Sequence, residues 1–259
     1  MRALLGRIHL WLMQFGIRPL DTFRSLLALP WYVRGLLRFR AGTRWTISLY
    51  PCLLDHSAGA ATLGEYFWQD LYVARRIINA APARHVDIGS RIDGFVAHLA
   101  CQRPVEIYDI RPLDVTIPNV RFRRWDLTGS GLGAPDEAAD CVSCLHTLEH
   151  LGLGRYGDRV DPDAWQAGLA RLAGLVAPGG QLWLSVPVGR RRVEFNAHRV
   201  FDPRELRDSG LRLGLALDEF SVVNGQGDHQ FVTADAHWDH VANASYGLGM
   251  YLFRRPAQA

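Results

Sequence analysis

Apolar positions along the chain change period more than once. Leu4, Leu5, Ile8, Leu12 and Phe15 recur at helical spacing, and Leu26, Leu27, Trp31, Leu36 and Leu37 repeat it. After Thr43 the stretch "SLYPCLLDHSAGAATLG" keeps no period and is rich in Gly and Ala, so it reads as a loop. "EYFWQDLYVARRIINAA" returns to helical spacing at Phe67, Leu71, Ala74 and Ile78, and Pro82 stops it. From His85 onward short apolar runs alternate with helical ones. The predicted strands are "HVDIG", "VEIYDI", "VRFRRWDL", "DCVSCL", "QLWLSVPV", "ALDEFSVVN" and "YGLGMYLFRR". Helices are predicted at "DGFVAHLAC", around "HTLEHL", and from a cap at Asp161 with Pro162 in the first turn to Pro178-Gly179-Gly180. Strands alternating with helices imply an α/β domain with a mostly parallel sheet covered on both faces. Two consecutive strands at the end imply an antiparallel edge.

The 259 residues divide on this reading into a helical arm, 1–44, and an α/β domain, 45–259. The net charge of only +3 gives no case for nucleic acid over the surface as a whole, and none is expected as a partner. The arm is different: eight arginines stand against one acid, Asp21. With Trp11, Trp31 and Tyr32 it suits either the interface of an anionic membrane or a helical hairpin packed on the domain or on a partner subunit. No apolar run reaches the ~18 residues of a membrane span. No small-residue cleavage site follows the apolar N-terminus, so no signal peptide is expected. Cys141 and Cys144 lie in an apolar run without a second CxxC, which points to packed thiols rather than zinc and to the cytoplasm.

The candidate chemistry sits at strand ends. "HVDIGSRIDGF" runs from a strand through Gly89 to Gly94 at a helix start, where exposed N–H groups face a crevice. Asp87 lies at that strand end, and Asp109 follows Gly89 by the spacing of a carboxylate that grips ribose hydroxyls. Asp126 ends the third strand. Three acids at three successive strand ends suit a nucleoside and suit a pyrophosphate poorly, because negative charge would accumulate.

These segments resemble the class I S-adenosylmethionine-dependent methyltransferases. The resemblance implies a Rossmann-like, seven-stranded fold with S-adenosylmethionine as cofactor. It also implies a cofactor set of Asp87, Gly89, Ser90, Arg91, Gly94, Asp109, Ile110, Asp126, Leu127 and His146. "LVAPGGQLWLSVP" is its most specific match. "LYPCLLDHSAG", "YFWQDLYVARRI", "DIRPL", "CLHTLEHLGLGRYGD" and "EFNAHRVF" resemble a narrower domain of unknown function. That family was first catalogued from nematodes and is also found in bacteria among surface-polysaccharide genes. Arg91 departs from the glycine-rich pattern, standing where the family has its middle glycine.

On a helix His146 and His150 would be one turn apart, a spacing that can hold a metal, but no third ligand is evident and none is expected. Methyl transfer to a sugar hydroxyl needs a base, and His150 is the first candidate, oriented by Glu149, with His198 the second. Arg155, Tyr156, Asp158, Glu194, Asn196 and Arg199 are candidates for binding the acceptor, a glycan or a nucleotide- or lipid-linked sugar. Arg190, Arg191 and Arg192 form a basic run that could meet a phosphate or simply be solvated. Two alternatives stand beside this enzyme: a non-catalytic domain docked by its arm to a membrane assembly, and a transferase using a nucleotide-sugar.

Overall fold

The computed structural model describes residues 2–55, 64–129, 134–224, 229–231 and 235–257. The chain divides into two compact units, 1–62 and 63–259. The first unit contains α1 (Arg2–Gln14) and α2 (Pro19–Gly42). Pro19 opens α2, where its missing N–H has no helical partner to lose.

The second unit begins with α3 (Glu65–Ala80). Its sheet contains β1 (His85–Ile88), β2 (Val105–Asp109), β3 (Val120–Arg124), β4 (Ala139–Leu145) and β5 (Val176–Val188). Further along come β8 (Ala216–Asn224), β9 (His229–Phe231) and β10 (Gly247–Arg254). The order is β3-β2-β1-β4-β5-β10-β8-β9. The first five strands are parallel. The last strand, β10, inserts antiparallel between β5 and β8, which gives the expected seven-stranded sheet with its antiparallel pairs on one side. The three-residue β9 extends that side. A separate hairpin pairs β6 (Arg192–Glu194) with β7 (His198–Val200).

The burial pattern explains the sequence pattern. Every residue of β1 is buried, and β4 and β5 are apolar runs, as expected of strands covered on both faces. On one face Ile107, Cys141, Leu145 and Trp183 pack against Val73 and Ile77 of α3. On the other, Val86, Val142, Leu182 and Leu184 meet Leu169 and Leu172 of α5 (Ala164–Leu175) and Leu206 of α6 (Pro203–Arg212). Trp238 and Val241 of α7 (Asp235–Asn243) complete that layer. Cys141 and Cys144 are the packed thiols expected of them, and burial pushes the Cys141 thiol up to about 12.

Three predicted helices need correction. The segment after β1 is a π-turn, Ile92–Val96, leading into a single turn, α4 (Ala97–Ala100). The helix expected from Asp161 begins at Ala164, because the Asp161 carboxylate caps a local turn by accepting from Asp163 N at 3.0 Å. It ends at Leu175, where Val176 pairs with Ala139, and Pro178-Gly179-Gly180 forms an irregularity inside β5. The "HTLEHL" segment is only a 3₁₀ turn, Leu148–His150.

Candidate active site

The strand order reverses between β1 and β4, so the connections leaving their carboxyl ends diverge and open a crevice there. A cleft of about 710 Å³ occupies this position, a volume suited to a small molecule.

Gly89 follows β1 with φ +73°, and its N–H donates to Tyr108 O at 2.8 Å. A Cβ on Gly89 would lie 2.6 Å from Thr147 Cγ2, so only glycine lets this turn pass the β4 loop. Asp87 and Ser90 do not line the cleft as expected but lie behind the turn. Fully buried Asp87 accepts from Ser143 Oγ (2.5 Å), Ser90 Oγ (2.6 Å) and Ser90 N (3.1 Å), while Ser143 Oγ also lies 2.8 Å from His85 Nε2. Burial pushes Asp87 up to about 6 and His85 down to about 3. The predicted ligand role of Gly94 is also corrected. It does not line the cleft, and a Cβ there would sit 2.2 Å from Asp70 Oδ2, so its lack of a side chain makes room for α3. Arg91 does line the cleft, with Nη2 2.8 Å from Asp93 Oδ2 and its guanidinium carbon 5.0 Å from the Tyr66 ring centroid.

Asp109, Ile110, Asp126 and Leu127 all line the same cleft. Asp126 Oδ1 closes a turn by accepting from Thr128 N at 2.8 Å and Thr128 Oγ1 at 2.7 Å. Asp109 is held by the residue two positions further on. Arg111 N and Nε donate to Asp109 Oδ1 at 2.8 and 3.0 Å, and Arg111 Nη2 donates to Oδ2 at 2.6 Å. The same guanidinium lies 5.1 Å from the Tyr156 ring centroid.

The β4 end explains the failed helix. His146 has φ +53°, and its N–H donates to Ser185 O on β5 at 3.0 Å, so the chain leaves the strand in a left-handed bend. His146 Nδ1 donates to Glu149 Oε1 at 2.8 Å, and its ring centroid lies 4.4 Å from that of Tyr66. Glu149 is fully buried. Burial pushes its carboxyl up, but the hydrogen bond from His146 and the nearby His146 and His150 rings outweigh this and hold it below the usual range. His150 is oriented by a backbone atom: its Nδ1 donates to Ala197 O at 2.7 Å. The other nitrogen, Nε2, lies 3.6 Å from Glu149 Oε1. Burial keeps the His150 pKa below its ordinary value, against the pull of the Glu149 carboxylate.

The acceptor candidates separate. Arg155, Tyr156 and Asp158 line the cleft with His198. Arg155 Nη1 donates to the same Ala197 carbonyl at 2.9 Å, and Asp158 Oδ2 accepts from Gly152 N at 2.7 Å, so both also shape the loop. Glu194 and Asn196 are exposed on the β6–β7 hairpin and do not line the cleft. Arg199 is corrected too. It is buried, and its guanidinium donates to the carbonyls of Leu151 (2.5 Å), Pro162 (3.0 Å) and Glu149 (3.3 Å), so it ties down the Leu148–Leu151 turn. In the basic run, Arg191 pairs with Glu205 and Arg192 with Glu194.

Other lining residues were missed. Glu65 and Tyr66 come from the start of α3, and Tyr246 donates to Glu65 Oε1 at 2.8 Å across 181 positions. Nothing local to Tyr246 marks it. Arg111 stood in plain view in "DIRPL", and its spacing of two from a strand-end acid was the available signal. Among the described residues no cluster of three or more His, Cys, Asp or Glu is set to hold a metal.

The fold is that of the Rossmann-like S-adenosylmethionine-dependent methyltransferases. The chain is 14% identical to the N-methyltransferase NodS from Bradyrhizobium japonicum, seen with S-adenosyl-L-homocysteine. It aligns with a TM-score of 0.51 over 74% of this chain and 89% of that one. It is 15% identical to the [4+2]-cyclase SpnF, with a TM-score of 0.53 over 73% and 81%. One fold thus carries different reactions. An O-methyltransferase family protein from Burkholderia thailandensis is 14% identical with a TM-score of 0.47, over 74% of this chain, which spans 56% of that one. Residues 134–232 match the model of a Caenorhabditis protein of unknown function, DUF268. No curated protein matches the chain.

Proposed function

We propose that the protein is an S-adenosylmethionine-dependent methyltransferase acting on a sugar hydroxyl of a glycan or surface-polysaccharide precursor. The observation that carries this is His150: one ring nitrogen is tied to Ala197 O, and the other stands in the cleft with a buried carboxylate 3.6 Å away.

The residues present fit the cofactor. Asp109 would serve as the carboxylate for the ribose hydroxyls, Asp126 and Leu127 would hold the adenine, and Gly89 would let the backbone approach; all four line one cleft. The buried atoms His146 Nε2, Glu149 Oε2 and His198 Nε2 have no hydrogen-bond partner, and their residues line this cleft, so they are suited to a polar ligand. When bound, S-adenosylmethionine supplies an electrophilic methyl group. The protein's part is positioning and proton removal. His150 Nε2 takes the hydroxyl proton, and the Glu149 carboxylate stabilises the imidazolium. Arg155, Tyr156 and Asp158 bound the acceptor side. The sugar assignment rests on the resemblance to a family found among surface-polysaccharide genes. On the same reading the protein works at the cytoplasmic face of a membrane, held there through residues 1–44.

The Arg111 guanidinium on Asp109 favours a second reading, a methyltransferase-like domain that does no chemistry. A nucleotide-sugar transferase fits less well: six acids line the cleft against three arginines, which disfavours a diphosphate. Calorimetry with S-adenosylhomocysteine, followed by methylation assays on nucleotide- and lipid-linked sugars, tests the proposal. The expected result is micromolar binding that survives His150→Gln, with methyl transfer lost in that variant. Absence of binding would leave the non-catalytic reading standing.

A further inference from the structure

The helical unit carries its apolar residues on the wrong side for a packed hairpin. In α2 the least exposed positions are Asp21, Ser25, Ala28, Tyr32 and Leu36, a stripe of mostly small or polar residues. The large apolar residues face outward. Phe23, Leu26, Val33 and Leu37, with Pro30 between them, recur every three or four residues on one exposed face. Leu26 and Leu37 are 59% and 60% exposed, and in α1 Trp11 is 69% exposed. Arg34 and Arg40 flank this face, one on either side.

No described helix is long and apolar enough to cross a membrane, so this face lies along a surface. Charge decides what the surface is. A second copy of the chain would bring arginine against arginine, since Asp21 is the only acid from residue 1 to 44 against eight arginines. An anionic bilayer meets both needs, taking the apolar side chains between its headgroups and the guanidiniums on its phosphates.

We infer that α2, with α1, is an interfacial anchor for an anionic lipid surface. This rests on the membrane placement proposed above and not on methyl transfer, so cofactor calorimetry and lipid binding fail or succeed separately. The test is co-sedimentation of the full chain with vesicles of phosphatidylcholine alone and of phosphatidylcholine mixed with phosphatidylglycerol. Binding is expected to be at least about tenfold tighter to the mixed vesicles and to weaken as salt rises. Arg34→Gln/Arg40→Gln, which keeps good helix formers at both positions, is expected to lower it about thirtyfold. Leu26→Asp/Leu37→Asp is expected to abolish it. Equal binding to both vesicles, or none to either, overturns the inference. So does a lipid-free dimer that Leu26→Asp dissociates, which would make the face a self-association surface.

Discussion

Replacing Arg111 by Ala is predicted to tighten nucleoside binding. The Arg111 side chain makes two of the three bonds to the Asp109 carboxylate, through Nε at 3.0 Å and Nη2 at 2.6 Å, and only the backbone N–H at 2.8 Å would survive. Ribose hydroxyls must therefore share or displace a guanidinium to reach those oxygens. The arginine side chain is 51% exposed and the aspartate 8%. An ion pair with one partner half in water contributes about 1 kcal/mol. Removing that competition should strengthen S-adenosylhomocysteine binding about fivefold. Asp109→Asn is the counterpart. It weakens charge-assisted bonds to the ribose worth about 1.5–3 kcal/mol each, so affinity should fall roughly 100-fold. Isothermal calorimetry on wild type and both variants reads the two effects. A tenfold loss of affinity in Arg111→Ala would refute the reasoning, because Arg111 would then be a ligand-binding residue and not a competitor.

Other expectations follow from the buried groups. His85, held near 3, contributes stability that is present above its unfolded pKa and is lost as pH falls through about 3. Asp87, held near 6, acts the opposite way: its contribution is present below the unfolded aspartate value and is lost as pH rises through about 6. The two oppose each other between about pH 4 and 6, so Asp87→Asn should steepen acid destabilisation there in urea titrations; an unchanged slope would contradict it. Gly89→Ala combines a left-handed backbone with a 2.6 Å approach to Thr147, and should cost about 1–3 kcal/mol in chemical denaturation. Arg199→Lys should destabilise nearly as much as Arg199→Ala, by about 3 kcal/mol, because one ammonium cannot reach the carbonyls of Glu149, Leu151 and Pro162 from a single fork. Recovery of wild-type stability by lysine in a thermal melt would count against that geometry.

The sheet was legible because strands buried on both faces read as apolar runs with little else that they could be, as "DCVSCL" and "QLWLSVPV" do. The strand-end acids were legible as positions, but their partners were not. Asp87 looks like a ligand in sequence, yet Ser143 on the neighbouring strand satisfies it from 56 residues away. His146 and His150 suggested a helical pair because spacing alone does not reveal a left-handed residue at the end of β4. Arg199 looked like a free cation beside the crevice, and only the fold shows three main-chain oxygens around it. Tyr246 reaches Glu65 because β10 returns to insert between β5 and β8, a long-range fact that no local window contains.

The imidazole of His150 hangs from a peptide oxygen, that of Ala197. Replacement of the methyl group at position 197 therefore leaves the tautomer alone, and evolution can vary that residue without altering proton affinity. Displacing the ribbon between Arg192 and Val200 is another matter. Whatever docks against that ribbon, or tugs on it, reaches the His150 ring without ever entering the cavity.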